Sequence, residues 1–246
     1  MTTYRLDIAY DGGGFSGWAV QPGRRTVQGE IEAALERLFG ERVVLTVAGR
    51  TDAGVHALHQ VASFTTERPP PESLIRALNG LTGPDVAIDA AAPAADGFDA
   101  RRDALSRRYR YRLETGTPPS PFERGRALAW PHRLDRKLLD DCAAALLGEH
   151  DFTAFTPTET YHERFSRRVL HAGWGDEPDA ERILRFEIEA DAFMRGMVRA
   201  LVGTMLEVGS GRRSPDDFAT LLDGAPRAAA GETAAAHGLY LLAVSY

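Results

Sequence analysis

VAIDAAAPAADGFDARRDALSRRYRYRL, residues 86–113, is the stretch on which the reading of the fold turns. Val86 and Ile88 mark a strand, and the small residues of AAAPAADG (90–97) offer little that could hold a core together, so they read as a linker. SRRYRYRL (106–113) then alternates at period two, with Tyr109, Tyr111 and Leu113 on one face and Arg108, Arg110 and Arg112 on the other, which predicts a strand. The linker divides the 246 residues into an N-terminal half, 1–97, and a C-terminal half, 98–246.

Upstream, Tyr4, Leu6, Ile8 and Tyr10 alternate as a strand, and DGGGFSGW (11–18) is a glycine-rich loop. Thr26 as N-cap, Val27, Ile31, Leu35 and Leu38 at helical spacing, and Gly40 beyond them predict an amphipathic helix. VVLTVA (43–48) and QVASFT (60–65) read as strands, with a short helix opened by Pro71 and carrying Leu74, Ile75 and Leu78. Downstream, the pattern predicts a helix over 135–147 stopped by Gly148, strands near 168–174 and 183–190, and a helix over 194–208 that sets Arg195 and Arg199 together at its edge. Ser214, Pro215 and Gly224 delimit one more helix, and GLYLLAVSY (238–246) reads as a buried strand. The expected architecture is α+β: two mixed strand and helix halves sharing a mainly antiparallel sheet with a central cleft.

Composition narrows the function classes. Hydrophobic residues at 43% and charged residues at 26% suit a folded body rather than a disordered one. The single cysteine, Cys142 in LLDDCAAALL, excludes a disulfide framework and reads as a small buried thiol, as in a reducing cytoplasm. No apolar core of signal-peptide length occupies the first 20 residues, and the longest later apolar stretch, GMVRALVGTML (196–206), is broken by Arg199. A soluble, non-secreted protein away from membranes is therefore expected. The net charge of −6 does not suggest a polyanion binder, but its distribution is uneven. Residues 99–112 carry six arginines against Asp99 and Asp103, whereas 176–191 carry seven acids against Arg182 and Arg185.

GRTDAGVHA (49–57), between two strand candidates, holds the densest set of reactive side chains. Arg50 beside Asp52 would keep that carboxylate ionised, as a nucleophile or base requires, while Gly49 and Gly54 allow close approach of a ligand. A turn tied down by a salt bridge explains the same pattern. Asp52, His56 and His59 could also be read as metal ligands, but they form no HExxH motif and lack an obvious further ligand, so no metal is expected. DGGGFSGW has neither the Walker lysine nor GxGxxG spacing, which favours a turn or an RNA-contacting loop over a nucleotide cradle. The Tyr/Arg alternation of 106–113 suits looped RNA, with tyrosine stacking on a base and arginine on phosphate; a half-buried strand with a solvated face has the same look. Arg195, Arg199, Arg212 and Arg213 could extend such a surface, and Arg164, Arg167 and Arg168 form another cluster.

Taken in order, YDGGGFSGWAVQP (10–22), TVQGEIEAAL (26–35), GRTDAGVHA, FDARRDALSRRYRYRL (98–113), EHDFTAF (149–155), AFMRGMVRALVGTMLEVG (192–209) and GLYLLAVSY resemble the tRNA pseudouridine synthase A (TruA) family. The resemblance implies the pseudouridine synthase fold and isomerisation of uridine in the anticodon stem and loop of tRNA, at tRNA positions 38, 39 and 40. It implies a homodimer that works without metal or organic cofactor. It further implies that Asp52 is the catalytic carboxylate, with Arg50 orienting it and Arg199 pairing with it. Tyr109 would pack against the target base, Leu239 would line the pocket, and Arg108 and Arg110 would join in substrate binding. The chain departs from the family pattern at Arg195, Gly196, Ala200 and in QPGRRT (21–26). Two other classes fit parts of the pattern: a noncatalytic tRNA binder, for which Asp52 is dispensable, and a carboxylate glycosidase, which lacks a well-placed second acid.

Overall fold

A computed structural model of the chain describes residues 1–159, 163–178 and 180–246. From the N-terminus come β1 (Thr2–Tyr10), α1 (Val27–Phe39), β2 (Thr46–Val47), β3 (His56–Thr66), α2 (Leu74–Leu81) and β4 (Val86–Pro93). There follow β5 (Ser106–Thr115), β6 (Leu128–Trp130), α3 (Arg136–Ala145), β7 (Gly148–Asp151), β8 (Ser166–Asp176), β9 (Ile183–Ala190), α4 (Met197–Gly209), α5 (Pro215–Thr220) and β10 (Leu239–Ser245). The chain divides into two compact units, Met1–Leu105 with Tyr240–Tyr246, and Ser106–Leu239. The mixture of helices with mainly antiparallel strands is the α+β class expected.

In the first unit, β1 is flanked by β3 and β4, both antiparallel to it. β10 adds in parallel to the start of β3, with Tyr240 opposite His56 and Leu241 opposite Ala57. The alternation in β1 is kept: Tyr4, Leu6, Ile8 and Tyr10 are all buried. α1 begins and ends where its signals lie. Thr26 Oγ1 accepts from the Gly29 amide, Gly40 turns left-handed at φ 65°, and Val27, Ile31, Ala34, Leu35 and Phe39 are buried. Burying Ile31 or Leu35 in this way is worth about 1.5–3 kcal/mol each.

Three readings of this half are corrected. VVLTVA forms a strand only at Thr46–Val47. Just before it, α1 supplies the hydrogen-bond partners that a strand would provide: the Leu45 amide donates to Glu32 Oε1 at 2.8 Å, and Gln28 Nε2 donates to the Leu45 carbonyl. The first four residues of the expected linker, 90–93, extend β4 along β1 as far as Pro93 opposite Tyr4. A proline is tolerated there because β4 has no strand on its other side among the described residues. The unit boundary falls at Leu105 rather than at residue 97. Residues 98–105 stay with the first unit because Phe98 packs on Tyr246, the Ala100 amide donates to Ser63 Oγ, and the Leu105 amide donates to the Ser245 carbonyl.

In the second unit the strand order is β5-β9-β8-β7, antiparallel throughout, with β6 parallel to β5. β6 and β7 were not foreseen. α3 is capped by Asp135 and ends at Ala145, two residues short of the expected Leu147. α4 starts at Met197 rather than Met194, because Gly196 adopts a left-handed φ of 69° immediately before it. Arg195 therefore precedes the helix that carries Arg199. The closing strand belongs, from Tyr240 on, to the first unit, and it is only half-buried.

Candidate active site

Asp52 lies in the loop that leads into β3, and the glycine loop after β1 is its backing. A Cβ on Gly12 would lie 1.9 Å from the Val55 carbonyl oxygen, and one on Gly17 would lie 2.9 Å from the Thr51 oxygen. Gly17 also has φ +96°. Glycine is required at both positions so that two backbones can touch, which is the physical reason for the DGGGFSGW composition. The nucleotide-cradle reading is not needed to explain it.

Hydrogen bonds then fix the loop on either side of the aspartate. The Trp18 amide donates to the Thr51 carbonyl at 3.0 Å, and the Val55 amide closes a turn on the Asp52 carbonyl at 3.2 Å. The Thr51 hydroxyl meets Tyr10 Oη at 2.8 Å, and Gln60 Nε2 donates both to Tyr10 Oη at 3.3 Å and to the Gly49 carbonyl at 2.8 Å. Gln60 has no exposed surface, and burial pushes the Tyr10 phenol up to about 12, so it stays protonated. Thr51 is buried and faces this network. Asp52 itself is half-buried, and Arg50 is exposed and joins no ion pair among the described residues. The Arg50–Asp52 pair read from the two-residue spacing is not formed.

His56 is buried at the head of β3, stacked on Tyr240 with ring centroids 4.6 Å apart. Its Nδ1 accepts from the Gly12 amide at 3.1 Å. The same nitrogen lies 3.1 Å from Asp11 Oδ1. His59 is exposed. No group of three or more His, Cys, Asp or Glu side chains with metal-binding geometry occurs among the described residues.

The second unit holds the other expected site residues. Tyr109 on β5 is buried, edge-on to Phe193 at 5.0 Å. Tyr111 is fully buried and donates to the Ala235 carbonyl at 2.8 Å; Gly238 lets the backbone pass within contact of its ring. Arg199, in the first turn of α4, donates from Nε to the Ala234 carbonyl at 2.8 Å, and the Ala234 amide returns a bond to the Arg199 carbonyl. Segment 232–234 can lie on α4 because residue 203 is glycine: a Cβ there would fall 1.8 Å from the Glu232 oxygen. Leu239 is buried at the start of β10.

The arginine face of β5 differs from expectation. Arg108 sits opposite Glu189, and Arg110 opposite Glu187, in the antiparallel β5–β9 register. Their side chains pair at 2.6 and 2.7 Å. Arg112 reaches Glu177 at 2.7 Å and Glu123 at 2.6 Å. The basic run and the acidic run are thus two sides of one cross-strand ladder, to which Arg108 and Arg110 belong. Arg213 is similarly paired with Glu207 at 3.1 Å.

Sequence reasoning missed Tyr10, Thr51 and Gln60 as parts of the site. The available signal was Gln60, an amide at the head of the strand candidate QVASFT, where burial demands hydrogen-bond partners.

Comparison with known proteins agrees with the motifs. The family model described as tRNA pseudouridine synthase matches residues 8–101 and 142–246. The chain is 47% identical over its whole length to a tRNA pseudouridine synthase A of Frankia casuarinae, covering 90% of that protein. It is 43% identical to one of Roseiflexus sp. over 100% of this chain and 91% of the relative, and 40% identical to one of Bacillus subtilis over 98% of each. With the motif loop, its glycine backing and full-length similarity in agreement, the chain belongs to the tRNA pseudouridine synthase family and is an isomerase that converts uridine to pseudouridine in tRNA.

Proposed function

We propose that Asp52 is the catalytic carboxylate of this isomerisation, and that the target uridines lie in the anticodon stem and loop. The reaction conserves composition: the bond from C1′ to N1 breaks, a bond from C1′ to C5 forms, and the proton lost from C5 is balanced by one gained at N1. A carboxylate beside the ribose can serve it by attack on the nucleoside or by removing the C2′ proton to give a glycal. The observation that supports Asp52 most directly is its setting, a half-buried carboxylate on a backbone anchored at the residues before and after it. Catalysis gains from such fixity, since a displacement of about 1 Å can cost on the order of 10²-fold in rate.

In this reading Tyr109, Arg199 and Leu239 serve the same reaction, with Tyr109 against the base, and exposed Arg50 contributes to tRNA binding. The target nucleotide is extruded from its helix, at a cost of a few kcal/mol. The enzyme acts as a homodimer in the cytoplasm; among the described residues no helix is long and apolar enough to cross a membrane. The test is Asp52→Asn assayed on unmodified tRNA transcript with mapping of pseudouridine. Product formation is expected to vanish while tRNA binding persists, and substantial turnover by this variant would overturn the assignment.

A further inference from the structure

We infer that Tyr10, Thr51 and Gln60 form a buried clamp that sets the position of Asp52, acting as positioning residues for the reaction. The inference rests on Asp52 being the catalytic carboxylate. Its geometry is directional. Gln60 Nε2 donates 2.8 Å to the Gly49 carbonyl, which fixes which end of the amide carries the protons. The same nitrogen donates to Tyr10 Oη, and the Gln60 Oε1 atom accepts from the Val61 amide at 3.2 Å. The Tyr10 hydroxyl in turn shares a hydrogen bond with Thr51 Oγ1 at 2.8 Å.

One chain of hydrogen bonds therefore grips the motif loop at Gly49 and at Thr51, the residues three before and one before Asp52. The gripping groups come from the middle of the sheet. Tyr10 ends β1 and Gln60 lies within β3; the two strands pair with each other. All three side chains are buried, with Tyr10 at 4% and Gln60 at 0% exposure, so water cannot replace a lost partner cheaply. Groups this deeply buried leave almost no surface for RNA to touch. Their contribution should appear in the rate of the bound complex and not in its formation.

The experiment compares Tyr10→Phe, Thr51→Val and Thr51→Ser, with Asp52→Asn in parallel. Each is measured for single-turnover pseudouridine formation at saturating tRNA transcript, for tRNA dissociation constant and for thermal midpoint. Tyr10→Phe and Thr51→Val are expected to slow turnover about tenfold or more, with tRNA affinity within about twofold of the parent. Thr51→Ser, which keeps the hydroxyl, is expected to restore the rate to within about threefold. Folded Tyr10→Phe and Thr51→Val proteins that turn over at the parental rate would overturn the clamp, as would a defect confined to affinity or a Thr51→Ser protein as slow as Thr51→Val. Should Tyr10→Phe fail to fold, the Thr51 pair decides alone. An active Asp52→Asn protein would instead remove the reading on which the clamp depends, whatever the other variants do.

Discussion

Arg110 on β5 and Glu187 on β9 stand directly opposite one another, and both Nε and Nη2 of the arginine donate to the same carboxylate oxygen, at 2.9 and 2.7 Å. Both side chains are mostly buried, at 22% and 17% exposure. Removing Arg110 leaves Glu187 only the longer contact with Arg185 at 3.7 Å, and removing Glu187 leaves Arg110 only Glu177 at 3.6 Å, each in a partly desolvated setting. Arg110→Ala is therefore expected to lower unfolding stability by about 1–2 kcal/mol in urea titrations, and the swapped pair Arg110→Glu with Glu187→Arg to recover part of it. The affinity of Arg110→Ala for tRNA, and the dependence of that affinity on salt, are expected to stay close to the parent, measured by filter binding across a salt series.

Glu189 gives the ladder a pH signature. Its bond from Ser106 Oγ at 2.5 Å, and then the Arg108 guanidinium, hold its carboxyl below the usual range despite partial burial. A depressed folded-state value means that the stability is present above the ordinary glutamate range and is lost as pH falls through the folded value. Glu189→Gln is accordingly expected to lower the urea midpoint near neutral pH, with the gap to the parent narrowing as pH falls below the ordinary glutamate range.

Gly17→Ala tests the glycine backing of the motif loop. The added methyl meets the Thr51 carbonyl and a left-handed backbone at once. A loss of more than about 1 kcal/mol is expected, with turnover falling further than tRNA affinity. Gly12→Ala should be worse, because its Cβ would lie 1.9 Å from the Val55 carbonyl oxygen, against 2.9 Å from the Thr51 oxygen at Gly17.

Gly203→Ala tests the seat of Arg199. Its Cβ would displace Glu232 and with it the Ala234 carbonyl that holds Arg199 Nε. A cost of about 1–3 kcal/mol from overpacking is expected, with reduced turnover at saturating tRNA.

Burial pushes the Cys142 thiol up to about 12, so native protein at about pH 8 should react with a disulfide reagent far more slowly than protein unfolded in urea. Equal labelling rates in the two states would contradict the packing of α3.

Local signals carried much of the fold. Thr26 and Gly40 bracket α1, Asp135 opens α3, and period-two alternation marked β1, β5 and β9. What stayed hidden depended on partners far away in sequence. VVLTVA has a strand composition, yet side chains on α1 occupy the Leu45 backbone. The arginines of β5 read as a surface for RNA because nothing local says that the acids 77 to 81 residues later would lie opposite. Asp52 was legible as a candidate reactive carboxylate in GRTDAGVHA, and Arg199, Tyr109 and Leu239 were suggested by resemblance to a family, whereas the Tyr10–Thr51–Gln60 clamp required the β1–β3 register to be known.

The pairing of Tyr240 and Leu241 with His56 and Ala57 sets an order on biosynthesis. As the ribosome works from the N-terminus, the strand entered by the motif loop waits for its parallel neighbour until the whole second unit, Ser106–Leu239, has been translated. The first unit is thus discontinuous in sequence, closed by a strand from the opposite end of the chain.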